Sequence, residues 1–237
     1  MRNNAPDAQE RATALFFVTT LGAAALSFGA GLYAWRRAQT APPPPPPTPQ
    51  VTQAEKSTRR AIQWFLIPLW TCAGIADYLC HRAAKIERST GIKETLLHLA
   101  MLGEAGLPVV AGLFFEINPL ILGTMIAAFF VHEATAMWDV RYATRGRGVS
   151  PLEQHVHSFL EMVPLMAVSL VSALHWPQIE ALLGLRNEKF AALQKKDKPL
   201  DPLYTVGTLV VMALLEVAPY FEEAWRDLRA VPARAKK

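Results

Sequence analysis

The chain has 237 residues, of which 51% are hydrophobic and 19% are charged. The apolar residues are gathered into long segments with few charges, which excludes a water-soluble globular domain and predicts an integral membrane protein, because about 20 such residues cross a bilayer as a helix. The net charge is only +4, and no basic, aromatic-rich patch indicates a nucleic-acid partner.

The apolar segments predict six transmembrane helices in two parts. The first segment, 12–35, is longer than the apolar part of a signal peptide and predicts an N-terminal anchor within residues 1–38. A proline-rich linker follows at 39–54, where consecutive prolines favour an extended polyproline II chain. A five-helix domain is predicted at 55–230, followed by a basic tail at 231–237. Its apolar segments are 61–80, 96–115, 119–138, 157–176 and 203–221.

The predicted fold class is therefore an all-α, polytopic membrane helical bundle. Three of its helix starts are marked by a capping residue before a proline: Asn118-Pro119, Ser150-Pro151 and Asp201-Pro202. Lysine and arginine residues are more frequent on the side of the N-terminus, which predicts that both termini lie in the cytoplasm and favours a bacterial inner membrane.

Ionisable residues concentrate at one depth of this predicted bundle, near the ends of successive spans. A charged group in a membrane helix costs about 2.5–3.5 kcal/mol on insertion scales and normally pairs inside the bundle. Several such groups on different helices therefore predict a polar site. The residues of this polar layer are Asp77, His81, Glu94, His98, His132, Asp139, Glu153, His157, Glu161 and Glu216.

The sequence spacing of these residues ranks the candidate ligands within the polar layer. Residues four apart share a helix face, with Cβ atoms about 5–6 Å apart, and this spacing relates Asp77/His81, Glu94/His98, Glu153/His157 and His157/Glu161. Asp139 lies seven residues, or about 10 Å of rise, beyond His132, which makes it a weaker candidate. His155 points away from His157 and is expected to be a supporting or lipid-interface group.

Imidazoles and carboxylates on several inward faces favour iron, manganese or zinc. The pattern is similar to that of soluble di-iron carboxylate bundles, with i,i+4 pairs in place of their Glu-x-x-His motifs. The layout of 61–221 also resembles integral-membrane di-iron hydroxylases and desaturases, although the chain lacks their His-x-x-His-His boxes. The resemblance implies an oxidoreductase with metals near the cytoplasmic face, and no residue role is carried over from it.

The sequence thus predicts a metal site, with two metals expected, in which histidines are terminal ligands and carboxylates bridge or terminate. A lipid-like molecule or a quinone is the expected substrate, undergoing oxidation or hydrolysis, and Arg82 is placed to bind its phosphate or carboxylate headgroup. Membrane lipids are expected partners, and no protein partner is indicated. The predicted ligands are Asp77, His81, Glu94, His98, His132, Glu153, His157 and Glu161.

Three other functions stay open at this stage. Glu104 and Glu216 are acids within apolar segments, which favours a proton- or cation-coupled transporter. His98 and His132 at one depth are compatible with haem ligation and hence with a haem or quinone electron carrier. The polar layer is also compatible with a purely structural role.

Some of these charged residues also have simple structural explanations. Glu153 fits a capping box that begins at Ser150. Arg147 belongs to a basic loop of the kind that sets membrane topology. The segment EEAWRD at 222–227 is typical of a solvated helix end.

Overall fold

The computed structural model of the protein describes residues 49–186 and 193–234. The predicted N-terminal anchor and the proline-rich start of the linker lie outside these residues. Both described ranges are all-helical and contain no β-strand. The all-α prediction is therefore confirmed for this part of the chain.

Eight α-helices follow one another in the described ranges, two pairs of them joined without a break. Helices α1 and α2 are continuous through a π-helical turn at Ile62–Leu66, and α7 and α8 through another at Ala213–Val217. The first helix begins at Pro49, inside the predicted linker. The helices are α1 (Pro49–Ala61), α2 (Ile67–Ala84), α3 (Ile92–Phe114), α4 (Pro119–Gly146), α5 (Pro151–Leu174), α6 (Trp176–Leu182), α7 (Pro202–Met212) and α8 (Ala218–Arg234).

Four helical segments of the described residues are long and apolar enough to cross a membrane: α3, α4, α5 and the continuous helix Pro202–Ala230. These segments identify an integral membrane protein. The predicted span at 61–80 is also helical, but it is not among the four, and Asp77 makes it less apolar. The count of six spans stays a prediction.

The predicted helix starts before prolines are confirmed. The Asn118 side chain accepts a hydrogen bond from the Ile121 amide, and the Asp201 side chain accepts from two amides of the first turn of α7. Ser150 and Glu153 form a complete capping box at the start of α5. These caps satisfy amides that have no acceptor within the helix.

Burial in the bundle is the reverse of that in a soluble protein. Large apolar side chains such as Leu203 (84% exposed) and Trp64 (67% exposed) face outward. Most of the largest fully buried side chains are instead polar or charged, including His81, Glu94 and Glu223. Lipid tails favour such an exterior, because they are as apolar as the side chains that they contact.

The helices surround two interior regions of different character. Helix α3 packs chiefly on α4 and α2 on α5, while α8 contacts both α2 and α3. An apolar cluster of Leu66, Trp70, Val163 and Met212 fills part of the interior. The polar layer lies where the end of α2, the start of α3, the end of α4, the start of α5 and α8 meet.

Both π-helical turns are followed closely by a proline. Pro68 and Pro219 lack the amide proton that would bond the carbonyl four residues earlier, and those carbonyls belong to Trp64 and Leu215 within the two turns. Local π geometry is a common response to such a missing bond. The second turn contains Glu216, which is buried and belongs to the polar layer.

Gly74 of α2 provides a test of this packing. A Cβ atom at position 74 would overlap the carboxylate of Glu216, which is only 1% exposed and has little room to move away. Gly74→Ala should therefore lower the free energy of unfolding by about 1–3 kcal/mol. Thermal unfolding in detergent measures the loss. Gly103→Ala is the matched control, because nothing lies within 4 Å of a Cβ there.

The double variant Gly74→Ala/Glu216→Ala identifies the cause of that loss. Truncating Glu216 removes the overlap, so adding Gly74→Ala to a Glu216→Ala protein should cost far less than adding it to the wild type. Equal costs in the two backgrounds would show that the two residues do not touch.

Candidate metal centre

The polar layer encloses a small cavity of about 50 Å³. Side chains from five helices reach it: Asp77 from α2, His98 from α3, Asp139 from α4, His157 from α5 and Tyr220 from α8. Residues that are remote in sequence therefore meet in one place. The prediction of a common depth for these groups agrees with the structure.

The first group of donor atoms centres on one oxygen of Asp77. Asp77 Oδ1 lies 2.8 Å from His157 Nε2 and 3.4 Å from His81 Nε2. His81 Nε2 lies 3.6 Å from Glu153 Oε1. Two helices, α2 and α5, thus direct two imidazoles and two carboxylates towards one point.

A second group of donor atoms lies beside the first. His98 Nε2 is 3.3 Å from Asp139 Oδ1, and the donor atoms of Glu94, His98 and Asp139 all lie within 4.8 Å of one another. The rings of His81 and His98 stack with centroids 4.3 Å apart and planes 11° apart. The two groups are therefore neighbours, and the donors of Asp77, His81 and His98 also lie within 4.8 Å of one another.

These separations suit atoms that share a metal ion. Donor atoms about 2.0–2.2 Å from a metal lie roughly 3–3.5 Å from each other in tetrahedral or octahedral arrangements. Among the described residues, four of these buried atoms face an imidazole or a carboxylate but form no hydrogen bond of regular geometry: Asp77 Oδ1, His81 Nε2, His98 Nε2 and Asp139 Oδ1. A buried polar atom without a good partner is costly, and a cation in each donor group would coordinate these atoms.

Glu223 holds both stacked histidines by their other ring nitrogen. Its Oε2 is 3.2 Å from His81 Nδ1, and its Oε1 is 3.2 Å from His98 Nδ1. A carboxylate that accepts from Nδ1–H fixes the tautomer in which Nε2 carries the free lone pair, as in carboxylate–histidine–metal triads. One residue of α8 therefore prepares two histidines on different helices for metal binding.

Hydrogen bonds outside the donor groups fix their carboxylates. Tyr220 donates to Asp77 Oδ2 at 3.1 Å, which leaves Oδ1 directed at the histidines. The Thr95 hydroxyl lies 3.0 Å from Glu223 Oε1 and 2.5 Å from Asp227 Oδ2. The groups that support the site are thus ordered by further buried contacts.

Arg147 joins the two donor groups from the side. Its guanidinium bonds Glu94 at 2.5 Å and also contacts Glu153, and its side chain is only 5% exposed. Burial disfavours the charged form, but hydrogen bonds to Glu153 and Glu94 outweigh it and raise the pKa of Arg147. Glu153 is therefore both the capping-box residue and part of this network.

Several sequence-predicted residues lie outside the two donor groups. His132 lines the cavity, but its Nδ1 is 3.8 Å from Glu104, and it contacts the Leu160 carbonyl that Pro164 leaves unpaired. Glu161 lines the same cavity. The donor groups themselves contain six of the predicted ligands together with Asp139: Asp77, His81, Glu94, His98, Glu153 and His157.

The remaining secondary candidates are distributed around the site. Glu216 is buried against Gly74 and lines the cavity, and Glu104 accepts from the Thr135 hydroxyl at 2.9 Å. His155 is exposed and packs edge-on against Phe159. Arg82 is half-exposed and pairs with Glu222 at 3.3 Å.

Sequence reasoning was wrong about the end of the last helix. Glu223 and Asp227 are buried, at 0% and 2% exposure, and not part of a solvated helix end. Arg147 likewise pairs with buried carboxylates and does more than set topology. A signal for Glu223 was available, because Glu216, Tyr220, Glu223 and Asp227 recur at three- and four-residue spacing and so share one helix face.

No protein-family model, curated protein or solved structure matches the chain. What can be said of the site therefore comes from its own geometry. The bundle contains buried histidine, aspartate and glutamate groups that are near enough to hold a metal ion.

Removing Arg147 should destabilise the protein strongly. Arg147→Ala leaves two buried carboxylates without their cation and should lower the free energy of unfolding by about 3–5 kcal/mol. Arg147→Lys should recover only part of the lost free energy of unfolding, because an ammonium group cannot form the same pair of hydrogen bonds as a guanidinium. In thermal unfolding experiments, the exposed control Arg145→Ala should be about as stable as the wild type. Equal stability of Arg145→Ala and Arg147→Ala would contradict the assignment of Arg147 to the buried network.

Neutralising Glu223 should weaken metal binding without removing a ligand. Glu223→Gln should reduce metal affinity about 10–100-fold, the usual effect of losing a group that orients a ligand. The neighbouring Glu222→Gln is the control, because Glu222 is 41% exposed and contacts Tyr78 and Arg82 instead. Titration with a competing chelator measures both, and an unchanged affinity in Glu223→Gln would argue against the metal assignment.

Proposed function

We propose that this chain is a membrane metalloprotein with a dinuclear His/carboxylate centre, acting on a lipid-like substrate. The observation that carries the proposal is that two groups of buried imidazole and carboxylate donors lie side by side, and four of their atoms form no hydrogen bond of regular geometry. The first metal would be held by His81, His157, Asp77 and Glu153. The second would be held by His98, Asp139 and Glu94, with Asp77 between the two.

The charge of the polar layer supports two cations. Asp77, Glu94, Asp139, Glu153 and Glu223 are buried together. Among the arginines and lysines of the described residues, the buried partner of these carboxylates is Arg147, while the partly exposed Arg226 lies 3.9 Å from Glu223 at the edge. Buried carboxylates are costly without compensating charge. Two divalent ions with neutral histidine ligands would supply most of the missing positive charge.

The reaction would depend on which metals are bound and on their position within the membrane. Mixed imidazole and carboxylate donors suit iron, manganese or zinc. Such ions polarise a bound carbonyl or phosphoryl group and lower the pKa of bound water. We expect hydrolysis if the resident metal is zinc and oxidation if it is iron or manganese, with the substrate arriving from the membrane. We place the centre near the cytoplasmic face of an inner membrane.

Cation- or proton-coupled transport is the second candidate function. Two acids outside the donor groups favour it: Glu216 Oε1 and Glu104 Oε2 are buried and lack hydrogen bonds in the described parts of the chain. A transported ion would exchange with the medium, whereas a catalytic metal would stay bound during purification. Metal retention therefore separates the two functions.

Haem ligation by His98 and His132 is less well supported. His98 Nε2 faces Asp139 at 3.3 Å, its Nδ1 is bonded to Glu223, and its ring stacks on His81. A haem iron bound at Nε2 would have to take the place of the Asp139 carboxylate. A visible spectrum of the purified protein would show a haem directly.

Metal content is the first test of the proposal. Wild-type protein purified in mild detergent should carry close to two transition-metal ions per chain by mass spectrometry. The double variant His81→Ala/His157→Ala should lose at least one of them, because each histidine supplies a donor atom of the first group. His155→Ala is the matched control on the same helix, since its side chain is exposed and packs on Phe159.

The outcomes are distinct. A metal-free wild type that takes up no metal on reconstitution would overturn the proposal. Equal metal content in all three proteins would show that His81 and His157 are not ligands. Loss of metal from His155→Ala as well would show that binding does not depend on the buried groups.

A further inference from the structure

A second cavity adjoins the metal layer from the other half of the bundle. It has a volume of about 230 Å³, and Trp70 and His132 line both cavities. Residues of α5 between Val163 and Leu174 line this cavity over about 16 Å of helix rise, so the cavity is elongated along α5. The second cavity therefore extends from the layer of ionisable groups towards the opposite end of the helices.

The walls of this second cavity are mainly apolar. An engineered apolar cavity of about 150 Å³ binds benzene, so a cavity of 230 Å³ can hold a larger apolar group, such as one alkyl chain. Two acyl chains would not fit in this volume. Representative wall residues are Leu66, Pro108, Leu113, Met125, Val163 and Val168.

Cationic groups lie at the end of the second cavity away from the metal layer. Arg59 and Lys196 line it there, together with His175. Burial lowers the pKa of Lys196, and burial with nearby positive charge lowers the pKa of His175 to about 4, so His175 is neutral near pH 7. Glu116 is the acid nearby, and its Oε1 accepts a bond from the Asp197 amide. Two cations thus face one carboxylate, which leaves net positive charge at this end.

We propose that the second cavity binds a single-chain amphiphile with an anionic headgroup, such as a long-chain carboxylate. The headgroup would lie at Arg59 and Lys196, and the alkyl chain would follow the apolar walls towards Trp70 and His132. Charge complementarity selects an anion over a neutral quinone, and the volume selects one chain over the two of a phospholipid. Binding is independent of the metals, whereas the identification of the bound molecule as the substrate rests on the proposed function.

The orientation has a chemical consequence. The end of the chain remote from the headgroup would lie next to the polar layer, because Trp70 and His132 separate the two cavities. The metal centre would then face the alkyl part of the bound molecule and not its headgroup. Together, the two cavities would determine which carbon atoms of the bound alkyl chain reach the metal centre.

Quenching of Trp70 fluorescence tests the binding. The full-length protein in phosphatidylcholine nanodiscs is titrated with ω-bromododecanoate at mildly alkaline pH, where the carboxylate is ionised. Bromine at the end of the chain should quench Trp70 with a saturable, one-site dependence. Exposed tryptophans such as Trp64 and Trp138 should add only a non-saturating background from probe dissolved in the bilayer.

Two variants separate occupancy of the second cavity from partitioning into lipid. Trp70→Phe should remove the saturable component. Ala167→Phe places a ring in the second cavity and should also abolish it. Met166→Phe is the matched control, since Met166 is 41% exposed and does not line the second cavity.

The role of the charges is tested with matched neutral substitutions. Arg59→Gln/Lys196→Gln should weaken ω-bromododecanoate binding about tenfold or more, because charge-assisted hydrogen bonds to the carboxylate are lost. The control Arg60→Gln/Lys195→Gln removes the same charge from adjacent residues that do not line the second cavity and should bind as wild type. The neutral probe ω-bromododecanol should bind equally to both double variants.

The results either support or overturn the proposal. Saturable quenching that disappears in Ala167→Phe and weakens in Arg59→Gln/Lys196→Gln supports it. Quenching that never saturates, or that is unchanged in Ala167→Phe, would show partitioning into the bilayer only. Saturable binding with no difference between the probes or the charge variants would overturn the anionic headgroup. Metal content is measured on the same samples, so a cavity that binds in a metal-free protein would contradict the proposed function alone.

Discussion

The burial of carboxylates at one depth is the constraint on which the structure depends. Asp77, Glu94, Asp139, Glu153 and Glu223 converge from five helices in an interior that is otherwise apolar. Each must be compensated there, because burial removes a carboxylate from solvent. Arg147 joins the carboxylates that begin α3 and α5, and the remaining negative charge faces histidines with open nitrogens. The same constraint makes the helix bundle specific, since a helix rotated from its position would leave a charged group in lipid.

The two interior regions complement each other. The polar layer holds its donor groups rigidly, through Glu223, Tyr220 and Thr95, and the space left between them is small. The apolar half contains the larger cavity, and prolines within the helices fall beside it, with Pro108 and Pro164 among its walls. Those prolines free carbonyls of the preceding turn, and the carbonyl of Leu160 contacts His132. At this boundary, α5 thus offers a backbone carbonyl to a buried side chain.

Local spacing predicted the pairs that share one helix and failed for partners that belong to different helices. Asp77/His81 and Glu153/His157 were found because four residues complete about one turn. Asp139 was ranked low by its distance from His132, yet its partner is His98 on the preceding helix. Glu223 was taken as solvated because its neighbours in sequence are charged, although α8 turns Glu223 and Asp227 into the bundle. Arg147 resembled an ordinary topology signal for the same reason, since sequence does not show which charge turns inward.

The sequence by itself determined the membrane class, the helical segments of the described domain, the caps at Asn118, Ser150 and Asp201, and the common depth of the ionisable groups. These features depend on hydrophobic length, turn chemistry and helix periodicity, all of which are local. Only the tertiary structure decided that His81 and His98 stack, that Glu223 holds both, and that an apolar cavity reaches the polar layer from the far side. Those features depend on the rotation of each helix against its neighbours, and that rotation is fixed by packing among residues far apart in the chain.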